Sequence, residues 1–168
     1  MNRRELMKVL VGSTAVLQLP AGDPGAPLFF TRQEFALLDA LTELIIPADA
    51  HSPGAREAGV APFIDRTVAE AFAAEEKESW RKGLAAIDSA CLDAMQKTFL
   101  NAPVVQQKAL LRGLASKEQH PETEAERFFT QVKQTTAFAY YSSSIGIHKE
   151  MHYKGNVLLQ QFVGYDAT

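Results

Sequence analysis

The chain has 168 residues, 46% of them hydrophobic and 22% charged, with a formal net charge of −3 and one cysteine. That is a single domain's worth of sequence, long enough to bury a helical core unaided. The acidic balance argues against nucleic acid as a partner, because phosphate binding needs Lys and Arg in excess on one face. One cysteine excludes an internal disulfide, a thiolate metal cluster within the chain and a CxxCH haem site.

Charge is unevenly shared. Residues 1–8 carry +2, from Arg3, Arg4 and Lys8 against Glu5, which leaves −5 for the remainder. An uncharged run from Val9 to Leu19 follows, and Pro20 breaks it. Twin arginines ahead of a short apolar core fit a bacterial twin-arginine export signal over residues 1–21, carried by Arg3, Arg4, Leu6 and Lys8. The expected destination is the periplasm, reached by way of the twin-arginine translocase in a folded state. The apolar run is too short to span a bilayer, although a leader left attached would rest at a membrane surface.

Residues 22–30 read as a linker, within a stretch rich in proline and glycine. Thr31 and Glu34 then form a capping box, and Phe35, Leu38, Leu41 and Ile45 recur at helical spacing until Pro47 stops the helix. A long loop, residues 47–61, leads to a second helix with Pro62 in its first turn and Phe63, Ile64, Val68 and Phe72 along it. A third helix is expected from near Glu76 to about Leu100, its buried stripe running Trp80, Leu84, Ile87, Cys91, Met95 and Phe99. Cys91 therefore reads as a buried small hydrophobe.

Asn101 and Pro103 break that helix and open a fourth through Val104, Leu110, Leu111 and Leu114. After a polar turn, a fifth begins around Pro121, with Glu122, Glu124 and Glu126 at the positive end of the helix dipole. It continues through Phe128, Val132, Thr135 and Ala139 to about Ser143. The tail beyond Gly146 has no sustained period and reads as irregular structure closing over the bundle or a partner. The expected fold is all-α: one small bundle of about five helices, with long loops and an irregular C-terminal tail.

Candidate chemistry is sparse. His148 and His152 stand four apart in HKEMH, as in zincin helices, but Lys149 occupies the slot where the catalytic Glu would follow the first His. His51 and His120 lie in polar loops and offer no clear third ligand. Asp49, His51 and Ser52 put acid, imidazole and hydroxyl in one loop, whereas hydrolytic triads draw on separate elements; Asp49 and Ser52 read instead as turn formers bonding nearby backbone amides. Glycine-rich phosphate or flavin fingerprints are absent, so no catalytic, cofactor or metal residue is assigned in this chain. Tyr140 and Tyr141 cannot both face one core, since consecutive helical residues point about 100° apart. One of them is expected at the surface, where tyrosine favours protein interfaces.

Three segments resemble the gluconate 2-dehydrogenase subunit 3 family: NRRELMK in the leader, LTELIIPADAHSPGAREAGVAPFID at residues 41–65, and FAYYSSSIGIHKEMHYKGN at residues 138–156. The resemblance makes residues 31–168 an accessory-subunit domain. It implies a non-catalytic small subunit whose partner is a large flavoprotein of the glucose-methanol-choline type, which oxidises a sugar or sugar acid and holds the FAD. It also implies electron exit through a cytochrome c subunit or another carrier. The large subunit commonly lacks an export signal, so the small one stabilises it and escorts it across. Partner contact is expected from residues 47–61 and 138–165, with Pro47, Asp49, His51, Pro53, Tyr140, Tyr141, Ile147, His148, Tyr153, Lys154 and Asn156 at the interface. Two rivals stand beside this reading: a self-sufficient periplasmic metal-dependent enzyme using His148 and His152, and a free-standing helical ligand-binding module.

Overall fold

The structure, a computed structural model, describes residues 26–153, so Arg3, Arg4, Leu6 and Lys8 of the expected export signal, and Lys154 and Asn156, lie outside it. It is all-α, with no strand among the described residues: α1 (Arg32–Ile45), α2 (Val60–Glu70), α3 (Ala74–Met95), a 3₁₀ turn (Phe99–Asn101), α4 (Val104–Ser116), α5 (Glu124–Ser142) and a π turn (Gly146–Glu150). No helix among the described residues is long and apolar enough to cross a membrane.

The central element is α5, which packs against the other four helices and the π turn. Its capping box sets where it starts: Thr123 caps the Glu126 amide while the Glu126 carboxylate takes the amides of Thr123 at 3.0 Å and Glu122 at 2.7 Å. Those amides, Thr123 foremost, hold the Glu126 carboxyl below the usual glutamate range. The helix therefore begins two to three residues later than the sequence suggests, and it is Thr136 rather than Thr135 that is fully buried. Where α5 crosses α3 the backbones come close, because Gly83 has no side chain: a Cβ there would stand 1.9 Å from the Phe128 ring. Trp80 meets the same ring edge-on at 5.4 Å and Phe30 at 6.3 Å, which makes an aromatic centre to the core.

Several helix boundaries differ from expectation for local reasons. Helix α3 starts at Ala74 and stops at Met95, where Gln96 takes a left-handed conformation (φ 54°) and its amide bonds Leu92. Phe99 is still completely buried, but by a turn rather than by a continued helix. Asp88 Oδ1 accepts its amide at 2.8 Å and Gln107 Nε2 donates to its carbonyl at 2.7 Å, so both backbone groups are satisfied by side chains of flanking helices. Helix α2 buries Val60, Ala61, Ile64 and Val68. Phe63 points away from that stripe and is half exposed, and Phe72 lies past the helix end, fully in solvent. Val104, the first residue of α4, is also exposed. Cys91 is buried and unpaired, as its helical phase suggests, and desolvation pushes its thiol pKa up.

The end of the proline-rich linker is bound to the bundle. Asp65, a buried carboxylate on α2, accepts the backbone amides of Leu28 and, at 3.0 Å each, of Phe29 and Phe30. Arg81 closes over the Phe29 ring at 4.4 Å and donates to the Phe29 carbonyl at 3.1 Å. Residues 28–30 are thus tied to the bundle, with Phe30 in the core and the Leu28 side chain exposed.

Candidate partner-binding surface

The loop from α1 to α2 has little slack in its first half. Asp49 Oδ1 accepts the amides of His51 at 2.7 Å and Ser52 at 2.8 Å, which makes a tight side-chain-closed turn, and those two bonds lower the Asp49 pKa. The turn is completed by Asp49 N donating to the Ser52 carbonyl at 3.0 Å. Farther on, Ala55 N returns to the Ile46 carbonyl, and Glu43 accepts the Arg56 amide at 2.8 Å. Gly54 sits between these strands of chain: a Cβ there would be 2.6 Å from both Ala48 N and the Glu43 carboxylate. Arg56 adds an ion pair to Asp39 at 2.7 Å.

Tyr140, near the end of α5, holds this loop in place. Its side chain is only 2% exposed, and its hydroxyl donates to the Pro53 carbonyl at 2.7 Å. With that single proton committed, the phenolic oxygen is the acceptor for Ser52 Oγ, also at 2.7 Å. The Ser52 hydroxyl therefore bonds a side chain across the fold, where the sequence suggested a nearby backbone amide. Tyr141 stands edge-on to Tyr140, centroids 5.4 Å apart, and is 45% exposed. One tyrosine fixes the loop from inside and its neighbour faces out.

Beyond α5 the chain turns sharply. Ser143 Oγ donates to the Tyr140 carbonyl at 2.6 Å and accepts the Gly146 amide at 3.0 Å. Gly146 packs directly on the helix end, since a Cβ there would meet the Tyr140 carbonyl oxygen at 2.1 Å. The π turn that follows ends with Met151 N on the Gly146 carbonyl. This stretch, expected to be irregular from Gly146 on, is helical as far as Glu150. His148 lies within the turn, but His152 lies beyond it with φ 49°, so the two imidazoles do not share a helical face. Among the described residues no three His, Cys, Asp or Glu side chains gather to hold a metal.

The two segments singled out in the sequence thus meet. Between them runs a groove of about 300 Å³ lined by Ile46, Pro47, Asp49, Ser52, Tyr140, Tyr141 and Glu150, among others. Pro47, Asp49, His51, Tyr141, His148 and Tyr153 are exposed around this region of the chain, Pro53 and Ile147 are half-buried, and Tyr140 is buried. His51 and His148 do not line the groove. Ser52 reads in the sequence as a local turn former and Gly54 as a loop residue, and neither the Tyr140 contact nor the close approach at Gly54 is marked there. Their only trace in the sequence is that small residues recur in a loop otherwise built of turn formers.

The model of a family described as gluconate 2-dehydrogenase subunit 3 matches residues 32–157, from the first residue of α1 past the π turn. The chain belongs to the gluconate 2-dehydrogenase subunit 3 family. The match takes in both the Asp49 loop and the Tyr140–Glu150 corner. Membership in the subunit 3 family implies a component of a multi-subunit dehydrogenase. Comparison with curated proteins and with solved structures returns no significant match.

Proposed function

We propose that this chain is the non-catalytic small subunit of a periplasmic FAD-dependent sugar dehydrogenase. It binds a large flavoprotein of the glucose-methanol-choline type, stabilises it, and brings it across the membrane through its twin-arginine leader. FAD and the base that takes the substrate hydroxyl proton reside on the large subunit, and electrons leave through a cytochrome c subunit or another carrier. Family membership over residues 32–157 carries this reading. The chemistry of the corner agrees with it. The Tyr140 and Ser52 hydroxyls are consumed in holding the loop, and the Asp49 carboxylate in closing a turn. What they present outward is an ordered surface of Pro47, Tyr141 and the π turn, a mixture of apolar area and polar tips suited to protein contact.

Affinity purification of the tagged full-length chain from the periplasm tests the proposal. A yellow, dye-reducing sugar oxidase should co-purify, and deleting residues 1–20 should leave the flavoprotein in the cytoplasm. Recovery of the chain alone, or export of the flavoprotein unchanged by the deletion, would overturn the binding and the escort roles respectively.

A further inference from the structure

Next to the Tyr141 groove lies a second one of about 350 Å³, between the C-terminal end of α1 and the faces of α4 and α5. Its floor is apolar, made by Leu44, Ile45, Leu111 and Phe129, and its rim is cationic, made by Lys108, Arg112 and Lys133. Lys133 is engaged with Glu118 at 2.6 Å. Lys108 and Arg112, one helical turn apart on α4 and exposed, have no ion-pair partner among the described residues. On a chain whose residues 9–168 carry −5, an uncompensated cationic pair above a groove with a largely buried apolar floor runs against the general charge balance.

We infer that this groove docks an acidic segment of the large subunit, with an apolar side chain seated on Leu111 and Phe129 and carboxylates facing Lys108 and Arg112. The inference rests on the proposed function and extends it to a face of α4 that its sequence alone gives no reason to select. Charge complementarity selects the acidic partner. Continuity supports the same occupant, because Ile45 and Pro47 line both this groove and the one under Tyr141, so one partner can cover both. No buried amide or hydroxyl converges on the groove, as would be expected of a site that orients a small molecule.

The test uses the full-length chain and the flavoprotein that co-purifies with it, with affinity measured from low to high salt. The double charge reversal Lys108→Glu/Arg112→Glu should weaken the complex by on the order of a hundredfold, since like charges then face each other. Added salt should weaken the wild-type complex and strengthen the variant's, because it screens attraction in the first and repulsion in the second. Lys82→Glu/Lys97→Glu, the same change in charge at other exposed positions, should bind as wild type. Circular dichroism and melting of the variants check that they are folded, and Lys108→Gln/Arg112→Gln should give a smaller loss of the same kind. If wild type forms no complex, the proposed function itself fails. If wild type binds and the reversal variant binds equally, with the same salt dependence, only the groove assignment fails. Self-association of the free wild-type chain that the reversal abolishes would assign the groove to a second copy and overturn the inference as well.

Discussion

Ser52 and Tyr140 meet hydroxyl to hydroxyl at 2.7 Å although 88 residues separate them in the chain. Because the tyrosine proton goes to Pro53, the two residues act as one buried relay of hydrogen bonds that ties the α1–α2 loop to α5. Tyr140→Phe would leave both Ser52 Oγ and the Pro53 carbonyl without their partner. We expect a loss of about 1–3 kcal/mol in the stability of the domain. The double variant Ser52→Ala/Tyr140→Phe should cost less than the sum of its singles, which denaturant titration of the four proteins would measure.

Thr136 offers the opposite case. Its side chain is fully buried and its hydroxyl has no hydrogen-bond partner among the described residues. Thr136→Val keeps the β-branched shape and removes the orphaned group, so it should raise the melting temperature by stabilising the fold by about 1 kcal/mol. A lowered melting temperature would mean that the hydroxyl has a partner after all.

The capping box of α1, the acidic first turn of α5, the apolar stripe of α3 as far as Cys91, and the exposure of one tyrosine in the 140–141 pair were all legible in the sequence. They depend on residues three or four apart, and that range is what periodicity reports. The stripe misled where it was followed too far. Phe99 keeps the right spacing for a buried helical residue, yet Gln96 has already ended the helix in a left-handed conformation that a glycine would have announced. Phe63 and Phe72, expected along the second helix, lie off its buried face, which Val60, Ile64 and Val68 define. Nothing local marks Asp65, whose three amide partners lie 35 to 37 residues upstream, or the pairing of Ser52 with Tyr140. Contacts of that span are set by how the helices pack, and one sequence carries no record of it.

Asp65→Asn replaces a carboxylate that accepts three amides by a group with one acceptor oxygen and an NH₂ that would confront an N–H. Hydrogen bonds to a charged acceptor are worth about 1.5–3 kcal/mol, so a loss of that order is expected. Amide exchange at Phe29 and Phe30 should accelerate well before exchange in α3 or α5. Equal protection in both proteins would show that the clamp contributes nothing.

Glu126 gives the fold a defined response to acid. Its carboxyl pKa is lowered from 4.5 in the folded chain by the Thr123 and Glu122 amides. A depressed folded pKa contributes stability that is present above 4.5 and is lost as pH falls through the folded value. Glu126→Gln keeps a capping acceptor but not the charge. Melting curves should therefore separate the variant from wild type at neutral pH and bring the two together in strong acid.

Tyr141 should report partner binding without disturbing the fold, since it is half exposed and packs edge-on to Tyr140. Tyr141→Ala is expected to weaken the complex by roughly 10- to 30-fold while changing the melting temperature of the free chain little. A variant that binds the proposed flavoprotein partner as tightly as wild type would remove Tyr141 from the contact surface.

The Asp65 clamp also decides which proteolytic cuts the molecule can survive. A peptidase acting anywhere before Pro27 would leave all three held amides in place, so removal of the residues ahead of it and a bundle that persists afterwards are compatible. A cut after Phe29 would be different in kind. It would remove one aromatic ring from beneath Arg81 and create a new ammonium group at Phe30, directly beside the Asp65 carboxylate that had held three neutral donors.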